Sequence, residues 1–318
     1  MQDEFVHVKT RDLLTKLPVL AEKGVTEFFI DDIHLASDKK FIMSLCNTVQ
    51  DKCRGMFVSF PVEAVLIDKP LVQLFGTIYC SIDIPVKGFA KENGQPLLFD
   101  KKVYSSKAAL LNNAGIVFGF SMDFGMQKGD SFKAFRDRLD FAISLYPNHI
   151  TFPQFQEKSL ENGLPRPTGT YSSKDLDFSR GMAFACRTFY TQGRAVPWFN
   201  SVTKALKLHP SAFFSDFDEW QQCNNCSFIT DYIPENASHK EIEKMQLTFL
   251  EQKFEEKHKK ELFPAVKDIV LLNGAFSRVA QEGEETILET SYSPDDLLSP
   301  YSQDIARFAE NTAMEMCR

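Results

Sequence analysis

The chain has 318 residues, 43% hydrophobic and 25% charged, enough apolar material for one large domain or two smaller ones, which excludes disorder as its overall state. A net charge of −7, with no run of five or more Lys/Arg, excludes an electrostatic footprint for nucleic-acid backbones. No apolar run nears the roughly 18 residues that a bilayer span needs, and residues 1–10 carry no secretion signal, so a cytoplasmic protein without membrane or nucleic-acid partners is expected.

The first predicted element is a helix in RDLLTKLPVLAEKG, where Leu13, Leu14, Leu17 and Leu20 share a face and Gly24 follows the end. TEFFID (26–31) reads as a strand. A second helix follows over SDKKFIMSLCNTVQDK, with Ser37 as N-cap and Phe41, Ile42, Leu45 and Val49 as its stripe. The alternation continues with a strand at 56–60, a short helix at 69–75, a strand at 77–83, a helix at 104–113 and a strand at 115–122. A helix at 131–145 and a strand at 149–155 complete the series. Strands separated by helices need crossover connections, so the sheet is expected to be parallel. Serial order without hairpin signals favours an α/β fold of the partial TIM-type (β/α) barrel kind.

From 156 the sequence SLENGLPRPTGTYSS reads as a long loop, which places a domain boundary near 160: a barrel core over 1–160 and a mainly helical region over 161–318. Helices are expected at 173–192 and 238–263, the second a charged, solvated face around Ile242, Met245, Leu247, Phe249, Leu250 and Phe254. Thirty Phe against eight Tyr and two Trp point to an aromatic core. Seven cysteines at irregular spacings read as reduced thiols, not as a disulfide framework. No GxGxxG, P-loop, HExxH or GxSxG motif occurs.

Two stretches, GVTEFFIDDIHLASDKKFIMSLC and GIVFGFSMDFGMQKGDSFKAFRDRLDFAISLYPNHITFPQF, resemble the core of radical SAM enzymes, particularly the cobalamin-associated and HemN-like groups. The resemblance covers roughly residues 5–175, including the exit loop LPRPTGTYSS. It implies a six-stranded partial barrel that binds S-adenosylmethionine at the carboxyl ends of its strands. In that family a CxxxCxxC loop after the first strand holds a 4Fe-4S cluster, because one compact loop must present three soft thiolates to one cubane. No such triplet exists in this sequence. EFVHVKT looks like the segment just downstream of that loop, so the chain is expected to begin after the first strand and the cluster motif.

On this resemblance the cofactor-binding candidates are Asp31 and Asp32, at the end of the strand that contacts the cofactor's amino group, with Ser81, Asp83, Asp123 and Gln154 at later strand ends. Read from the residues alone, each is equally a polar strand terminus or turn cap. His34 beside the two aspartates reads as an exposed loop residue. Cys223 and Cys226 form a CxxC, the metal candidate, although a structural zinc would want a second pair.

Two functions are consistent with these readings. One is a truncated or cluster-less radical SAM-like protein, inactive alone and completed by a cluster-bearing partner chain. The other is a non-catalytic binding or partner subunit that keeps the barrel scaffold. In both, the missing first strand leaves the edge of the 26–31 strand to be covered by a partner, a homodimer or residues 4–8.

Overall fold

The computed structural model describes residues 8–88, 98–153 and 165–317. They form two compact units, residues 8–88 with 99–122, and 98 with 123–153 and 165–317. The boundary expected near 160 lies outside the described residues.

In the first unit, strands β1 (Glu27–Phe29), β2 (Phe57–Pro61), β3 (Tyr79–Pro85) and β4 (Val117–Ser121) pair in parallel and in chain order. Helix α1 (Leu13–Glu22) precedes β1, and α2 (Lys39–Lys52), α3 (Lys69–Phe75) and α4 (Lys101–Asn113) connect the strands. This is the serial parallel α/β arrangement expected from the sequence. The second helix is capped by Asp38, whose carboxylate accepts from the Phe41 N–H, and not by Ser37, which closes the preceding 3₁₀ turn.

Strand pleating sorts side chains to two faces. Val58 and Phe60 of β2, with Cys80, Ile82 and Ile84 of β3, are buried on one. That face packs on α3, where Phe60 meets Phe75 edge to face with centroids 5.7 Å apart and the Cys80 thiol donates to the Phe75 carbonyl. The opposite face carries Phe29, Ser59, Ser81 and Val117 in one cross-strand row, and Pro61, Asp83 and Gly119 in the next. Its amino half is open, with Phe29, Tyr79 and Val117 exposed.

The second unit contains β5 (His149–Thr151) and helices α5 (Phe132–Ile143), α6 (Ser173–Cys186), α7 (Phe199–Leu206), α8 (Pro210–Cys223), α9 (His239–Glu256), α10 (Phe263–Glu282), α11 (Pro294–Leu298) and α12 (Ile305–Asn311). α6 runs on as a π-helical turn over Arg187–Gln192. Phe189 in that turn is fully buried, its ring against Trp198, Phe199, Phe213, Phe217 and Phe249. The helical carboxyl-terminal region is thus built around the expected aromatic core. No helix among the described residues is long and apolar enough to cross a membrane.

Candidate functional site at the carboxyl ends of the strands

The sheet face opposite the helices carries two of the expected site residues, but β3 runs on to Pro85, so Ser81 and Asp83 lie within the strand and not at its carboxyl end as expected. Ser81 and Asp83 are two apart on β3, so both project from this face. Ser81 is 5% exposed, and its Oγ has no hydrogen-bond partner among the described residues. A buried hydroxyl without a partner costs about 1–3 kcal/mol, and its ordinary remedy is a ligand or water. Asp83 lies between Pro61 of β2 and Gly119 of β4. Gly119 places no side chain beside it in that row.

The rim is fixed by specific contacts. The Tyr104 hydroxyl of α4 donates to the Pro85 carbonyl at 3.0 Å and accepts from the Lys87 N–H at 3.0 Å, pinning the turn after β3. Lys87 reaches back to Glu63, after β2, with Nζ 2.5 Å from Oε1. These residues carry no motif, and sequence reasoning missed them; the one signal for Gly119 is a glycine inside an apolar strand.

The remaining candidates are placed differently. Asp31 is exposed, as is His34. Asp32 uses both carboxylate oxygens locally, accepting from the His34 N–H at 3.0 Å and from the Thr10 hydroxyl at 2.7 Å. It caps the 3₁₀ turn Ile33–Ser37. Asp123 belongs to the second unit, in a loop held by the buried pair Asp130–Arg138, with Nη1 to Oδ1 at 2.9 Å and Nη2 to Oδ2 at 3.1 Å. Arg138 also donates to the Asp123 carbonyl and Gln127 to its carboxylate, while burial pushes that carboxyl above its ordinary range. Gln154 lies outside the described residues. Cys223 is exposed at the end of α8, whereas Cys226 is buried with its thiol donating to the Gln221 carbonyl.

The sheet face thus carries one carboxylate, Asp83, and one buried hydroxyl, Ser81, without a partner among the described residues. The sulfur donors do not suit a three-thiolate cluster. Five of the seven cysteines are buried, and burial pushes Cys46 and Cys80 up to about 12 and Cys226 to about 11, disfavouring the thiolate ligand. Among the described residues no group of three or more His, Cys, Asp or Glu could hold a metal ion.

No family model matches the sequence, and no curated protein does. Two solved structures of TsrM, a radical S-adenosylmethionine methyltransferase from Kitasatospora setae, are similar in part. The one with cobalamin and a 4Fe-4S cluster bound has a TM-score of 0.34, and the one with tryptophan substrate and the SAM analogue aza-SAM bound has 0.33. Each is 14% identical, and the match covers 45% of this chain and 30% of the TsrM chain. A likeness of this size carries no argument about chemistry.

Proposed function

We propose that the chain is a radical SAM-related protein whose strand ends bind S-adenosylmethionine or a close adenosyl relative, and that binding, not radical cleavage, is what these residues perform. The observation that carries the reading is the buried Ser81 Oγ without a partner among the described residues, on the face that also carries Asp83. Asp83 takes the ligand's ammonium or ribose, Ser81 a second polar atom, and Tyr104 holds the turn against which the ligand rests. Asp32 acts as a positioning residue through its cap. When bound, S-adenosylmethionine would supply an activated methyl sulfonium.

Calorimetric titration with S-adenosylmethionine tests this. The expected result is saturable binding that Asp83→Asn weakens roughly tenfold or more, the size of a charge-assisted hydrogen bond. Ser81→Val should weaken binding while leaving stability unchanged or higher, because it deletes an unsatisfied buried hydroxyl. Absence of binding, or wild-type affinity in both variants, would overturn the reading.

The partner-subunit reading has its own support. Phe29 and Tyr79 are 65% and 71% exposed on the amino half of the same face, and β1 is a three-residue strand at the start of the paired series. A second chain covering these rings would appear as a concentration-dependent rise in sedimentation coefficient, suppressed by Tyr79→Lys. A monomer at every concentration would count against self-association.

A further inference from the structure

α9 and α10 of the second unit enclose a groove of about 370 Å³ whose walls include Glu243, Lys244 and Leu247 from α9 and Phe263, Lys267 and Leu271 from α10. Volumes of this order suit small-molecule ligands. Glu243 is the unusual wall residue, because it is 6% exposed. Its Oε2 accepts from Arg278 Nη1 at 2.8 Å, and Arg278 is itself 1% exposed. Gly274 gives the pair room, since a Cβ at that position would overlap the Glu243 carboxylate.

Arg278 Nη1 also lies 3.0 Å from His239 Nδ1. A guanidinium only donates, so Nδ1 is the acceptor and the ring's proton sits on Nε2, facing the Gly193 carbonyl at 3.4 Å. Burial, joined by the nearby Arg194 cation, lowers His239 to about 4 and keeps it neutral. The result is a chain of partners behind Glu243 that fixes its carboxylate at the groove wall. Burying such a pair returns little net stability compared with apolar packing, yet this one holds a residue of the groove lining.

The rest of the groove completes a pattern. Lys244 and Lys267 have no ion-pair partner among the described residues, whereas Lys240 on the rim is taken by Glu284. Leu247, Phe263 and Leu271 supply an apolar wall. Glu251 also lines the groove.

We propose that this groove binds an apolar α-amino acid in its zwitterionic form. Glu243 receives the ammonium, Lys244 and Lys267 receive the carboxylate, and the side chain lies along Leu247, Phe263 and Leu271. The groove shares no residue with the strand-end site, so either assignment can fail without the other.

Titration of the full chain with three probes tests it: L-phenylalanine, L-phenylalaninamide, which lacks the carboxylate, and N-acetyl-L-phenylalanine, which lacks the ammonium. The free amino acid should bind saturably, and each blocked form at least tenfold more weakly. Lys267→Met, at an exposed position that does not threaten folding, should diminish the discrimination against the amide while keeping that against the acetylated form. Glu243→Gln should do the converse. Absence of saturable L-phenylalanine binding, equal binding of the three probes, or undiminished discrimination in folded Lys267→Met would overturn the assignment.

Discussion

Asp218 shows how a single buried group sets the pH response of its surroundings. It lies on α8 at 8% exposure, against Gly181 of α6, where a Cβ would overlap its carboxylate. Gln222 Nε2 donates to Oδ2 at 2.9 Å, while Oδ1 has no partner among the described residues. Burial pushes the carboxyl up to about 6; Gln222 opposes that and Glu219 adds to it. In the unfolded chain an aspartate titrates near ~3.9. Between those values the folded state keeps a proton that the unfolded state has lost, so stability should fall as pH rises from about 4 to about 6 and then level off. The size is roughly 1–2 kcal/mol after allowance for partial hydration. Asp218→Asn keeps the shape and removes the titration, so in urea unfolding it should match the wild type near pH 4 and exceed it near pH 7. An unchanged pH dependence in that variant would remove the carboxylate from the account.

At the scale of elements, the second unit hangs on the π-helical turn and its aromatic neighbours. Phe189 touches five rings with centroids 4.9 to 6.1 Å away, and no solvent reaches it. Phe189→Ala should therefore cost about 3–5 kcal/mol in denaturant unfolding, the range for a large ring removed from a closed core; a loss below about 1 kcal/mol would mean that the cluster repacks freely. The strands and helices of the first unit were legible because their apolar spacing switches cleanly between periods of two and 3.6. α7, α8 and α10 were not. α8 buries Phe213, Phe214 and Phe217 on a broad face that dilutes the periodic signal, and α9 stops at Glu256 through His258 in a left-handed conformation, with no glycine to mark the end. Reading 238–263 as one solvated helix also concealed His239, Glu243 and Gln246, whose burial depends on partners in α10 and the π turn. That Ser81 and Asp83 share a face could be read from the pattern, but β3 runs on to Pro85 and places them within the strand, not at its end, and the missing partner at Ser81 is a property of packing across strands.

Across the whole molecule, the distribution of sulfur separates inert from reactive thiols. All seven cysteines are free, and Cys46, Cys53, Cys80, Cys186 and Cys226 are buried. Burial raises each of those five above the ordinary thiol range, with Cys186 fully enclosed. Cys223 is exposed and Cys317 half-buried, so they alone are open to a reagent in the folded state. The CxxC is accordingly split between an open sulfur and a closed one. The folded protein should release colour from Ellman's reagent for Cys223 first and Cys317 more slowly, and for all seven thiols only after denaturation. Cys223→Ser should delete the fast phase. Slow reaction of Cys223 that a metal chelator accelerates would instead show a metal held at the CxxC, and fast reaction of three or more thiols would contradict the closed cores of both units.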